Sequence, residues 1–296
     1  MGWLIEADPR RAAWLSFAMN QTWIWSGRAL EALHWSERTL AAAPDQSAER
    51  CWNLFAHASL LAELGRDEEA RFWLAQGEAM ADMPEHAALK ALSVNTSALI
   101  RDALGDHQDA IRLNQDAIKA FSRTGDEQQL SRALNHTAMS MLFLGQAAES
   151  RQLAERALEI LRRVNSERAI YVVDTLAQAN ALLGELGEAK RNWIEVTEHC
   201  LDQGWGQDVN LPGGLFGLAL VAGLRGKNHL ALRLHYCAQR TMAEVGGIYA
   251  EPISPREKEL ISRLEEEAGP DAVAILRTES EALTPEKALE LARAEV

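Results

Sequence analysis

The stretch Ala58-Ser59-Leu60-Leu61-Ala62-Glu63-Leu64-Gly65-Arg66-Asp67-Glu68-Glu69-Ala70 returns further on as Ala138-Met139-Ser140-Met141-Leu142-Phe143-Leu144-Gly145-Gln146-Ala147-Ala148-Glu149-Ser150. Each has a glycine at its centre, a small residue seven positions earlier and another five positions later. Working outward, the same glycine recurs as Gly27, Gly65, Gly105, Gly145, Gly184 and Gly226, at spacings of 38, 40, 40, 39 and 42 residues. Seven positions before these glycines stand Asn20, Ala58, Ala98, Ala138, Ala177 and Ala219. Five after stand Ala32, Ala70, Ala110, Ser150, Ala189 and Ala231. Twelve after stand Thr39, Gly77, Ala117, Ala157, Val196 and Ala238. Two antiparallel helices approach closely only where small side chains let their backbones meet. A glycine between them ends the first helix at little steric cost.

Small residues at these offsets around a glycine match the tetratricopeptide pattern. The usual period of that pattern is about 34 residues, and about 40–47 suits HEAT or armadillo arrays. The small–glycine–small phase decides for tetratricopeptide repeats with longer helices or loops. Between the glycines, apolar residues recur at three- and four-residue steps, as in Leu153, Ala154, Ala157, Leu158 and Leu161. Tyr171-Val172-Val173 is β-prone by composition, but its place in the array predicts helix. The fold expected is all-α: a right-handed solenoid of six helix pairs over 13–249, after a lead at 1–12 and before a helical cap at 250–296. From Ala250 the phase is lost. Ser254-Pro255 and Thr284-Pro285 read as a cap followed by proline at the first helical position, and Gly269-Pro270 as a stop. Helices are predicted near 255–268, 271–282 and 285–295. Leu260, Leu264, Val273, Ile275, Leu276, Leu289 and Leu291 are expected to cover the apolar end of the sixth pair.

Composition narrows the function. Of 296 residues, 47% are hydrophobic and 25% charged, which excludes a mostly disordered chain. The net charge is −13, from 30 basic and 43 acidic residues, and argues against direct nucleic-acid contact. The longest apolar run, Leu211 to Leu224, falls short of the roughly 18 residues of a membrane span. The opening, Met1-Gly2-Trp3-Leu4-Ile5-Glu6, lacks a basic n-region, and a cytoplasmic location is expected. Cys51, Cys200 and Cys237 form no CxxC and read as buried thiols.

Motifs for chemistry are weak. Gly226-Lys227 resembles the end of a phosphate loop, but Val221 holds the first glycine's place and Asn228 that of Ser or Thr. Pro212, Gly213, Gly214 and Gly217 follow no strand and are read as opening a helix. Glu198-His199-Cys200 is the densest ligand-like group, with members on different helix sides. His57 and His136 read as satisfied interior histidines. No cofactor, metal site or catalytic residue is expected, and the chain is not read as an enzyme.

The aromatic residues carry more. Seven of the nine tryptophans fall in the first 75 residues, and serve either core packing or an aromatic-lined groove. In a tetratricopeptide array the first helix of each repeat lines the concave face. Counted from the glycine, outward positions are expected near −13, −10 and −6. They give Trp14, Phe17 and Gln21; Trp52, Phe55 and Ser59; Leu92, Asn95 and Leu99; Arg132, Asn135 and Met139; Tyr171, Asp174 and Gln178; and Gly213, Phe216 and Leu220. Asn95 and Asn135, one repeat apart, are expected to clamp a peptide backbone through donor and acceptor together, above a floor of Trp14, Phe17, Trp52 and Phe55.

The two ends resemble a known family. Trp23-Ile24-Trp25, Gly27, Glu31, Trp35, Glu37-Arg38 and Leu40 are similar to the opening of the tetratricopeptide region of bacterial STAND-class ATPase regulators, including LuxR-type and AfsR-like transcriptional regulators. Leu218-Ala219, Ala231-Leu232-Arg233-Leu234, Arg256 to Gly269, Ala282-Leu283-Thr284-Pro285-Glu286-Lys287-Ala288 and Leu291-Ala292 resemble its end, with Ser280 where glycine is expected. The resemblance implies a sensor or interaction arm in signal transduction. The expected partner is a protein or peptide in the groove. The alternatives are a small-molecule effector among the aromatics, or an enzyme on a repeat scaffold.

Overall fold

A computed structural model describes residues 1–25, 28–202, 210–244 and 255–296. Every regular element among them is helical. The chain divides into two compact units, Met1–Leu144 and Gly145–Val296, where the sequence suggested a lead, one array and a cap. The expected boundary at 249/250 and the glycine at 27 lie outside the described residues.

The first unit begins with α1 (Gly2–Ala7), packed on α2 (Pro9–Trp25) and α3 (Ala29–Ala42). The helices α4 (Ala48–Glu63) and α5 (Asp67–Ala81) pair, as do α6 (Lys90–Ala103) and α7 (His107–Thr124), with a 3-10 turn at Pro84–Leu89 between the pairs. The last helix, α8 (Glu127–Phe143), packs on α7 and touches α6. Its start is capped by the Asp126 carboxylate, which accepts from Gln129 N–H at 3.1 Å. The second unit opens with α9 (Ala147–Arg163), which packs on α10 (Ala169–Leu182). It continues through α11 (Leu186–Asp202), α12 (Asn210–Leu224) and α13 (Asn228–Glu244), and ends with α14 (Pro255–Ala268), α15 (Pro270–Glu281) and α16 (Pro285–Glu295). No described helix is long and apolar enough to cross a membrane. The apolar α12 is buried from Leu211 to Gly223.

The repeat phase has the physical meaning expected of it. Gly65, Gly105, Gly145, Gly184 and Gly226 all have positive φ, between 68° and 82°. At four of them the same helix stop recurs. At Gly65, the Arg66 N–H reaches back to Leu61 O at 2.9 Å and the Gly65 N–H to Ala62 O at 3.0 Å. This Schellman pattern satisfies carbonyls that a helix end leaves open. It repeats at Gly105, Gly184 and Gly226. The small residues flanking the glycines are buried at every repeat, from Asn20 and Ala32 through to Ala219 and Ala231. Gly77 shows why smallness matters: a Cβ there would stand 3.3 Å from the Phe55 ring. Asn165 ends α9 at φ 50°, a left-handed stop between repeats that the glycine period does not include.

The tail packs largely as expected. Leu260, Ile261, Leu264, Leu276, Leu283 and Leu289 join one core with residues of α12 and α13. Ile275 corrects the reading: it is exposed, because Val273 and Leu276 turn inward and Ile275 points elsewhere on the same helix. Ser280 is buried, and its hydroxyl donates to Leu276 O at 2.7 Å. Thr284 caps α16 ahead of Pro285, while Ser254 lies outside the described residues. All three cysteines are buried.

Candidate functional site

The three columns expected to face outward do not behave alike. Helix geometry gives the reason. Residues seven apart lie within about 20° of one another around the axis, so −13 and −6 share a line. The −10 position lies about 40–60° to one side. In the third, fifth and sixth repeats that side faces the second helix of the same repeat, nine residues beyond the glycine. Asn95 meets Asn114 of α7 through Nδ2–H to Oδ1 at 3.0 Å. Asp174 meets Trp193 of α11 at 2.9 Å. Phe216 meets His235 of α13, with ring centroids 5.3 Å apart.

Several expectations are corrected accordingly. Phe55 and Phe216 are fully buried and line no surface. Gly213 and Leu220 are buried as well. Asn95 is 1% exposed and gives an amide N–H to Asn114, so it does not project as a two-handed clamp. Asn135 is 8% exposed, and its Nδ2 lies 3.8 Å from the Met139 sulfur. The carbonyl oxygens of both asparagines are buried without a hydrogen-bond partner. The side chains of Gln21 and Leu92 lie outside the described residues.

In the first unit the surface that remains is aromatic. Trp14 on α2 is 55% exposed. One turn on, Phe17 is half-buried and stacks on Trp52 of α4, with centroids 5.1 Å apart and planes inclined by 26°. Trp52 is itself buried, and leans on Phe55 at 6.0 Å. Ser59, Leu99 and Arg132 are half-buried, and Met139 is exposed. Beneath the surface, a buried polar network joins α3 to α4. Asn53 Nδ2–H donates to Thr39 Oγ1 at 2.6 Å, and His57 Nδ1 lies 3.1 Å from Ser36 Oγ. Burial pulls the His57 imidazole down to about 4, aided by Arg66 and opposed by Glu69. Its interior reading thus agrees with the structure. His136 differs: it is held neutral by burial, then by Arg132, down to about 3, but its Nδ1 has no hydrogen-bond partner.

In the second unit Tyr171, Asp174 and Gln178 share one face of α10, and all three are partly exposed. The Asp174 carboxylate accepts from Trp193 Nε1–H through Oδ1, and from Gln178 Nε2–H at 2.8 Å through Oδ2. Burial pushes this carboxyl above the usual aspartate range, against the pull of the two hydrogen bonds. Trp193 reaches it only because α12 has glycines where the indole passes. A Cβ on Gly217 would lie 2.1 Å from Trp193 Cε2, and one on Gly214 would lie 2.4 Å from Thr197 Oγ1. The glycines read as opening a helix therefore lie within α12 and make room for α11. Of the ligand-like trio, Glu198 pairs with Arg293 and Cys200 is buried. Gly226 sits at the α12–α13 turn, away from any strand.

No family model and no curated protein matches this sequence. Solved structures do. One is a Podosopora anserina protein named for kinesin light chain and built of nearly identical TPR-like repeats. It is 18% identical, with 66% of this chain and 97% of that one covered and a TM-score of 0.50. Another is BtubC (BKLC) from P. vanneervenii, also 18% identical, covering 76% of this chain and 92% of that one at a TM-score of 0.52. At such identity the likeness concerns architecture alone, and with the repeating glycine stops it shows that this chain has an all-α helical-repeat fold of the tetratricopeptide type.

Proposed function

We propose that the chain is a binding module that takes a protein segment or peptide along the first helices of the repeats of its first unit, and that it performs no catalysis. The observation that carries this reading is the Trp14–Phe17–Trp52 surface. An exposed indole beside a half-buried, stacked pair offers rigid apolar area of the kind that anchors partners at hot spots. Phe17 and Trp52 fill the space between them, which favours a segment laid across the surface over an effector enclosed within it.

The test is retention of a randomised peptide library on the immobilised full chain, compared with Trp14→Ala and Phe17→Ala. Loss of an anchor aromatic should cost about 2 kcal/mol, or roughly 30-fold in affinity. Unchanged retention by folded variants overturns the reading. The resemblance of both ends to STAND-class regulators supports a finer assignment, an interaction arm of a bacterial transcriptional regulator acting in the cytoplasm. For that assignment the decisive measurement is ATP turnover by a regulator carrying this region. Turnover that is indifferent to retained peptides overturns it.

A further inference from the structure

We propose that Asp174, with Tyr171 and Gln178, is a subsite of the second unit for a basic side chain of a peptide, and that arginine is preferred there. The inference rests on the peptide-binding reading and names a ligand chemistry in the second unit.

Three features of the second unit lead to it. First, the Asp174 carboxylate is sunk between α10 and α11, yet both side chains that donate to it, Gln178 and Trp193, are neutral. Other carboxylates of this unit have a cationic neighbour: Glu185 has Arg151, Glu198 has Arg293, and Glu265 has Arg277. Second, the two donors that Asp174 has are neutral and occupy two of about four acceptor sites on the carboxylate. The remaining sites call for further donors, and a charged donor is worth more than a neutral one. Third, the residues around the carboxylate keep contact with solvent. Asp174 is partly exposed, and so are Tyr171 and Gln178 at three and four residues to either side, neighbours along one helix face. A guanidinium entering there would pair with the free edge of the carboxylate and lie near the Tyr171 ring, where cation–π attraction adds to the ion pair. The glycines of α12 complete the arrangement. They let the Trp193 indole come up from behind and hold the carboxylate in place from that side.

The experiment uses the full chain and two probes, N-acetyl-arginine methylamide and its neutral isostere N-acetyl-citrulline methylamide. The indole Nε1–H resonance of Trp193, assigned with Trp193→Phe, reports on the far side of the same carboxylate. The arginine probe should shift it saturably, roughly tenfold or more tighter than citrulline, as expected for a hydrogen bond gained by a charged group. Asp174→Asn should abolish that preference while the rest of the spectrum stays in place. Equal affinities for the two probes, or no saturable shift up to the solubility limit of the arginine probe, overturn the proposal; this comparison needs no variant to fold. Failure here leaves peptide retention through Trp14 standing. Lost retention with an intact arginine preference overturns the peptide reading and keeps the cation subsite.

Discussion

Replacing Gly217 by alanine puts a methyl group where the Trp193 indole lies. By helix propensity alone the change should help, because glycine inside a helix costs roughly 0.5–1 kcal/mol relative to alanine. The fold reverses the sign. The new Cβ would stand 2.1 Å from Cε2 and 2.2 Å from Cδ2, both atoms of a rigid fused ring that cannot give way by turning its tip. Trp193 must therefore move as a whole. Overpacking of this kind costs about 1–3 kcal/mol. The displaced indole also gives up its 2.9 Å bond to Asp174, a bond to a charged group worth about 1.5–3 kcal/mol. Net of the propensity gain, Gly217→Ala should destabilise by about 2–5 kcal/mol. For a unit the size of Gly145–Val296 that lowers the melting temperature by roughly 4–20 °C. Thermal melts followed by circular dichroism measure it, and a double-mutant cycle isolates the cause. On a Trp193→Ala background the added methyl enters vacated space, so the same substitution should become neutral or slightly stabilising. A neutral Gly217→Ala in the wild-type background, or an equal cost in both, refutes the account of the α11–α12 interface.

Three further outcomes are expected. Gly226→Ala meets nothing within 4 Å but must adopt φ 74°, so its cost should be the left-handed penalty alone, roughly 1–2 kcal/mol; a denaturant midpoint unchanged from wild type contradicts this. Phe55→Ala should lose about 3–5 kcal/mol, as a fully buried ring does, whereas Trp14→Ala should stay within about 0.5 kcal/mol. Equal costs would show that the −10 column does not turn inward. Asp174 has its folded pKa raised by burial, so the folded state binds its proton more tightly than the unfolded state. The cost of its charge is absent below the unfolded pKa and grows as pH rises through the folded one. Asp174→Asn should accordingly be more stable than wild type at neutral pH and lose part of the wild-type pH dependence. Urea titrations at acidic and neutral pH that show the variant less stable at neutrality would sink this argument.

The repeat was legible in the sequence because its determinants are local. A glycine that must take positive φ, and small residues fixed by the contact of two adjacent helices, recur at a constant offset whatever lies around them. Gly65, Gly105, Gly184 and Gly226 end their helices by the same pair of backbone bonds. The proline-led tail helices were equally legible, since Thr284 with Pro285, and Gly269 with Pro270, set their own boundaries.

The site was legible only in part. The sequence placed Trp14, Phe17 and Trp52 together and picked out Tyr171, Asp174 and Gln178 as sharing one face of a helix. It did not determine on which side of that face the second helix of each repeat would lie. The crossing of paired helices decides this, and the side chains between them set that crossing. Tertiary structure alone therefore turned Asn95 toward Asn114 and buried Phe55 and Phe216. It alone revealed Gly214 and Gly217 as spaces cut for Thr197 and Trp193, since a glycine inside a helix declares no purpose until the side chain that fills its absence is seen.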